Sequence, residues 1–206
     1  MDILFAWAPA ATLLGYLVVE GLIRSPGEAS SWRPGSSDRG TTIAVIVALI
    51  VAGSMAAVLH LVGLSRIGHL PAEFDWLRPL GLAAAAAGLV LRAWSMRVLG
   101  AAYSRTLRVT GQQSIVRAGP YRWVRHPGYS GSIVALTGAN LAAGSWLAAL
   151  VAGLLLTAVY SIRTIAEERM LTAAFGEAYR DYRATSGRLL PTRPLKSLRA
   201  TESVPS

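Results

Sequence analysis

Two clusters of polar residues stand out in an otherwise apolar sequence, and each carries groups able to do chemistry. The first runs from Tyr103 to Tyr129, YSRTLRVTGQQSIVRAGPYRWVRHPGY, and places His126 directly before Pro127. Proline suits the first turn of a helix, where its missing N–H needs no partner, so His126 stands at a helix entrance. The unpaired N–H groups and partial positive charge of such an entrance favour the carboxylate of a ligand. Tyr121, Trp123 and Tyr129 add aromatic faces at headgroup level, suited to stacking on a purine, contacting a cation or anchoring the chain at the interface. The second cluster runs from Arg163 to Pro191, RTIAEERMLTAAFGEAYRDYRATSGRLLP. Arg163 and Glu167 are one helical turn apart and can pair, and Glu168, Leu171, Phe175, Tyr179 and Tyr182 follow at helical spacings on one face, acidic at its start and aromatic at its end. Carboxylates near a hydrocarbon boundary are costly unless paired or solvated in a cavity, so Glu167 and Glu168 mark a candidate site.

The elements that must hold these groups are membrane helices. The chain has 206 residues, 53% of them hydrophobic and only 15% charged, with a mean hydropathy of +0.44, too apolar for an ordinary soluble domain. Crossing a hydrocarbon core takes about 20 mostly apolar residues, which Ile3 to Ile23, Thr41 to Leu64 and roughly Leu77 to Leu99 each supply. The first is expected to be retained rather than cleaved, since no basic stretch precedes it and Glu20 lies near its end. A further apolar stretch, Gly128 to Ala166, is too long for one span and divides at Asn140 to Ser145 into a helical hairpin. Gly131, Ala135, Ala139 and Ala143 form a small-residue stripe on its first arm, which predicts an arm buried among other helices. The expected fold is therefore all-α: about five transmembrane helices, three spans and then the hairpin, followed by an amphipathic C-terminal helix. The units are a three-span region over 1–99, a catalytic region over 100–191 and a mobile tail over 192–206. Arg97, Arg105, Arg108, Arg117, Arg122 and Arg125 precede the hairpin, and eight more basic residues lie between Arg163 and Arg199. By the positive-inside rule both regions are cytoplasmic, which places the N-terminus outside, the C-terminus inside and both polar clusters on one side of the membrane. Glu20 and His60 are expected near interfaces, and Arg92 and Arg97 to snorkel toward the cytoplasm, with no catalytic role.

Composition also excludes. The absence of cysteine removes disulfides, zinc-thiolate sites, iron–sulfur clusters, thiol catalysis and lipidation of this chain. The net charge of +9 comes from residues that flank apolar runs, a pattern suited to anionic lipid headgroups and not to nucleic acid. Lys196 is the only lysine among the 20 basic residues, a usage that suggests a GC-rich genome and a bacterial plasma membrane.

Three groups of residues resemble a known family: Gly119-Pro120-Tyr121; Arg125-His126-Pro127 with Tyr129 and Gly131; and Glu167-Glu168 with Leu171, Phe175, Gly176, Tyr179 and Tyr182, closed by Leu190-Pro191. In this order and spacing they resemble the isoprenylcysteine carboxyl methyltransferase and phospholipid methyltransferase superfamily of integral membrane enzymes, over about the C-terminal half. The resemblance implies transfer of a methyl group from S-adenosylmethionine to a lipophilic small molecule or lipid arriving from the bilayer, with no metal. It implies that Tyr121, His126, Pro127, Tyr129, Gly131, Glu168, Tyr179 and Tyr182 form the cofactor pocket, and that Arg125, Arg163 and Glu167 serve the reaction, an arginine orienting an acidic acceptor. Thr185-Ser186-Gly187-Arg188 departs from the more apolar stretch of methylesterifying members, which leaves the acceptor open. Membrane reductases of sterol-reductase type, using NADPH, and a non-catalytic membrane scaffold are the alternatives.

Overall fold

The computed structural model describes residues 5, 7–23, 40–64, 68–100 and 115–191. The first polar cluster before residue 115, with Arg105 and Arg108, the connector over 24–39 and the tail over 192–206 lie outside the described residues.

The described residues are helical, with no strand among them. Six helices follow in order: α1 Ala8–Leu22, α2 Thr41–Leu61, α3 Leu77–Leu99, α4 Pro127–Ala142, α5 Trp146–Phe175 and α6 Glu177–Thr185. Short 3-10 turns, Ala72–Phe74 and Gly119–Arg122, precede α3 and α4. The boundaries follow from local chemistry. Pro9 and Pro127 sit in the first turns of α1 and α4, and the Ser145 hydroxyl accepts from the Ala148 N–H at 3.1 Å to cap α5.

Three of these helices, α2, α3 and α5, are long and apolar enough to cross a membrane. At 15 and 16 residues, α1 and α4 fall short of the length expected for them. α4 needs no full span of lipid-facing surface, because Ala135, Leu136, Ala139, Asn140 and Ala142 are buried by the helices around it. α5 is longer than the predicted second arm. Its 30 residues extend roughly 45 Å, enough to cross the core and project beyond it. Glu167 and Glu168 fall on that projection.

α3 and α4 pack most intimately, through glycine. A Cβ on Gly131 would lie 2.6 Å from the Gly88 carbonyl oxygen, and one on Gly138 would lie 2.6 Å from that of Gly81. The stripe predicted on α4 is therefore an interface, drawn through Gly131, Ala135, Gly138 and Ala142 where the sequence suggested Ala139 and Ala143. On the other side of α4, Tyr16, Ala52, Leu136, Leu156 and Tyr160 form the apolar core with α1, α2 and α5. Outward, Leu17, Ile43, Ile50, Val90, Leu154 and Ile162 are exposed, as surfaces facing lipid tails would be.

The predicted continuous C-terminal helix is broken. Gly176 adopts φ 56 and ψ −126, a conformation closed to residues with a Cβ, and α6 departs there in a new direction. Tyr179 and Tyr182, placed by the sequence on one unbroken face with Phe175, are buried on α6 against the body of the protein.

Candidate active site

The C-terminal end of α5 and the N-terminal end of α4 lie at the same end of the bundle, and the two polar clusters meet there. Backbone pairing joins them. Residues 123–126 run beside 187–188, with Gly187 N–H donating to the Trp123 carbonyl at 2.9 Å, Arg125 N–H to Gly187 at 2.8 Å and His126 N–H to Arg188 at 3.1 Å. The polar Thr185-Ser186-Gly187-Arg188 stretch is thus a strap laid across the approach to α4. Tyr182 ties α6 down by donating its hydroxyl to the Tyr121 carbonyl at 2.7 Å, and the Ser130 hydroxyl donates to the Leu189 carbonyl. Burial pushes the Tyr182 phenol up to about 12, so it remains a donor at any ordinary pH.

Under the strap, the twin glutamates have different surroundings. Glu168 is buried beneath three guanidinium groups, with Arg125 Nε at 2.9 Å, Arg188 Nη2 at 3.2 Å and Arg183 Nε at 3.6 Å. Arg125 also donates to the carbonyls of Arg183 and Ser186, so it fastens α5, α6 and the strap to one another. Glu167 is more open: its side chain is 25% exposed against 4% for Glu168. It accepts from the Tyr129 hydroxyl at 2.9 Å, and that hydroxyl accepts in turn from Arg163 Nε at 3.0 Å. Arg163 and Glu167 thus meet on Tyr129. Arg163 Nη1 also donates to the hydroxyls of Thr41 at 2.9 Å and Thr42 at 3.1 Å, which draws the start of α2 to the site.

His126 lies between the carboxylates, Nδ1 3.7 Å from Glu167 and Nε2 3.4 Å from Glu168. Its ring is stacked with Tyr129 at 5.7 Å, and Tyr129 with Tyr160 at 4.5 Å, forming an aromatic column that descends into the bundle. Four polar atoms in and beside the site are buried without a well-formed hydrogen bond: His126 Nε2, which has the Glu168 carboxylate at 3.4 Å, the hydroxyls of Tyr179 and Tyr160, and Arg188 Nε. Burial, reinforced by the charges of Glu168 and Glu167, raises the pKa of Tyr179 well above that of an ordinary phenol, so this hydroxyl is neutral and able to donate.

The structure therefore gathers Tyr121, Arg125, His126, Pro127, Tyr129, Arg163, Glu167, Glu168, Tyr179 and Tyr182 at one end of the bundle. Gly131 is the exception: it backs onto Gly88 and Arg92 of α3, one turn behind His126. Sequence reasoning missed Arg183 and Arg188 as partners of Glu168, Tyr160 as the floor of the aromatic column, and Thr41 and Thr42. It also misplaced Arg92, which does not snorkel but is buried on Glu20 at 2.6 Å. Opposite charges within two apolar spans were the available signal, since such residues pair.

The family model for phospholipid methyltransferase matches residues 76–178. Probable protein-S-isoprenylcysteine O-methyltransferases of Oryza sativa, subspecies indica and japonica, are each 26% identical over 179 residues, covering 86% of this chain and 91% of theirs. The protein-S-isoprenylcysteine O-methyltransferase of Schizosaccharomyces pombe is 31% identical over 98 residues, covering 47% of this chain and 42% of its own. Among solved structures, the eukaryotic intramembrane Ras methyltransferase ICMT (isoprenylcysteine carboxyl methyltransferase) superposes with a TM-score of 0.57 at 22% identity, over 89% of this chain and 62% of that one. The Oryza similarity reaches well into the N-terminal helices, beyond the C-terminal half where the motifs lie. None of these relatives favours the reductase or scaffold alternatives, and as eukaryotic proteins they lend no support to a bacterial membrane. This chain belongs to the phospholipid methyltransferase family, within the superfamily that includes the isoprenylcysteine carboxyl methyltransferases, and is a membrane methyltransferase.

Proposed function

We propose that the protein transfers the methyl group of S-adenosylmethionine to a lipophilic acceptor that reaches the site from the bilayer. The observation that carries this reading is the placing of two buried polar groups with hydrogen-bonding capacity to spare, the Tyr179 hydroxyl and His126 Nε2, among the motif residues under the strap. A buried polar group without a partner costs on the order of 1–3 kcal/mol, and a ligand that accepts from the Tyr179 hydroxyl removes that cost while taking a contact from His126. S-adenosylmethionine has the complementary chemistry: a carboxylate and an ammonium at one end, a purine with acceptor nitrogens at the other.

His126, Tyr179, Tyr121 and the backbone after Pro127 would hold it. Glu167, the more open carboxylate, would face its ammonium or sulfonium charge, while Glu168 keeps Arg125, Arg183 and Arg188 in place. When bound, the sulfonium supplies an electrophilic methyl carbon that needs neither metal nor covalent nucleophile. The protein has then to align donor and acceptor and exclude water, and the strap over the α4 entrance does the second. Arg163, next to Tyr129 and the start of α2, would orient an acidic acceptor. A carboxylate acceptor would need no base; for an amine, Glu167 is the nearest candidate.

In this reading the chain crosses the bilayer five times, α1 and α4 being the short members, with the N-terminus outside and the arginine-rich site end cytoplasmic. That division suits the substrates, since the donor is charged and water-soluble and the acceptor partitions into lipid. Titration of the detergent-solubilised protein with S-adenosylmethionine and with NADPH tests the proposal. Saturable binding of the first alone is expected; binding of NADPH alone would return the reductase alternative, and binding of neither would leave a scaffold.

A further inference from the structure

An ion pair lies beneath the site. Arg92 of α3 donates through Nη2 to Glu20 of α1 at 2.6 Å, with the two side chains only 6% and 10% exposed. The guanidinium lies 4.1 Å from the centre of the Tyr16 ring. Its other arm, Nη1, donates to the Gly128 carbonyl at 3.3 Å and to the Ser132 hydroxyl at 3.1 Å, and that hydroxyl donates to the same carbonyl at 2.9 Å. Gly128 lies in the first turn of α4, between His126 and Tyr129 on the chain.

Stability does not account for this arrangement. A buried ion pair costs as much in desolvation as it returns, and well-packed apolar residues of similar size commonly serve better. Nor is it needed to bring α3 to α4, which the glycine contacts at Gly88 and Gly131 already do. What the pair adds is direction. A planar guanidinium fixed by Glu20 and Tyr16 on one side grips the first turn of α4 on the other. That turn sets where the ring of His126 and the hydroxyl of Tyr129 stand against Glu167 and Glu168. We propose that Arg92 and Glu20 are positioning residues that aim the His126–Tyr129 turn at the twin glutamates; the kinetic consequence, but not the structural one, rests on the methyltransferase reading above.

Histidine-selective isotope labelling provides the test, because the chain has only 3 histidines and the His126 resonance is identified by its loss in His126→Ala. Two variants are compared. Arg92→Lys keeps a charge beside Glu20 but loses the fork that spans Glu20, Gly128 and Ser132. The double change Glu20→Met with Arg92→Met replaces the pair by apolar volume. Both are expected to remain folded, the double variant melting no lower than the wild type. In both, the His126 resonance is expected to move, with His60 and His69 unmoved, and kcat to fall by about tenfold, which is about 1.4 kcal/mol in the barrier. A wild-type His126 resonance and wild-type kcat in Arg92→Lys would overturn the proposal, as would the same result in a stable double variant. Since the resonance is read without donor or acceptor, failure of S-adenosylmethionine to bind the wild type would sink the functional reading and leave this one to stand or fall on the His126 signal.

Discussion

Glu168 bears the heaviest electrostatic load among the described residues, and its substitution should differ in kind from that of its neighbours. Taking the carboxylate away leaves Arg125 buried with only carbonyls for company, and breaking a buried pair from one side costs about 3–5 kcal/mol. Glu168→Ala is therefore expected to lower the melting temperature as well as donor binding. His126→Ala is expected to weaken S-adenosylmethionine binding by about tenfold or more with the fold intact, the loss of a hydrogen bond to a charged ligand being worth about 1.5–3 kcal/mol. Tyr179→Phe should weaken it several-fold; calorimetric titration with circular dichroism on the same samples separates the two kinds of effect, and unchanged affinity in both would take these groups out of the pocket. Tyr182 gives a dependence on pH. Its pKa is raised from 10.0 to about 12, so the neutral buried phenol contributes its full stability below about pH 10 and loses it as pH rises through about 12. The melting temperature of the wild type should accordingly fall more steeply than that of Tyr182→Phe between about pH 10 and 12 and run parallel to it near neutrality. The residue types of the site were legible in the sequence, since histidine before proline, paired glutamates and spaced tyrosines are uncommon in apolar chains. Their pairing was not. Arg188 binds Glu168 from 20 positions away because the helix breaks at Gly176 and the chain returns through α6 and the strap, and no periodicity encodes that return.

Helices were read from apolar length, which located each of them but not all of their ends: the stretch read as roughly Leu77 to Leu99 is α3 and the hairpin divides at Asn140 to Ser145 as expected, whereas α1 and α4 are shorter and α5 longer than that length suggested. Failures came where one residue overrode the periodicity. Spacings of three and four continue smoothly from Glu168 through Phe175 to Tyr182, yet Gly176 sits in a conformation that only glycine adopts freely, and the face is cut in two. That break lets α6 bury Tyr179 and Tyr182 over the site. Gly176→Ala is expected to cost on the order of 1–3 kcal/mol, strain that can be relieved by letting α6 straighten away from the bundle. The measurable signs are faster proteolysis at Arg180 and Arg183, both exposed on α6, and a loss of donor affinity that matches it. Were Gly176→Ala to bind as tightly as wild type, the break would not matter to the pocket. A second consequence concerns the α3–α4 seam. Gly88→Leu would drive a branched side chain into the backbone of α4 at Gly131 and Ala135, and the loss of folded protein on purification should exceed that for the same change at Gly21, which meets nothing within 4 Å.

The molecule as a whole sets a charged, strapped site at one end of a bundle whose flanks are apolar. Leu17, Ile43, Ile50, Val90, Leu154 and Ile162 face outward on four helices, and the aromatic column His126–Tyr129–Tyr160 leads from the site toward their depth. A water-soluble acceptor would have no reason to meet such a surface. Each buried methylene of an acyl or prenyl chain is worth about 0.8 kcal/mol of partition into the bilayer, so a chain of ten or more carbons concentrates the acceptor beside the helices by many orders of magnitude. Its reactive head then needs only to reach the level of Glu167 and Arg163, at the boundary where α5 leaves the core. With methyl-labelled S-adenosylmethionine and a total lipid extract in mixed micelles, the label is therefore expected in the organic phase, and shortening the acceptor chain should raise KM steeply while changing kcat little. Arg163→Lys then reports on the head. It keeps the charge but not the fork that reaches Tyr129, Thr41 and Thr42, so an acidic acceptor should lose kcat by about tenfold or more and a basic one should not. Label recovered only in water-soluble product would separate the site from the bilayer, and the lipid-facing flanks would then serve insertion alone.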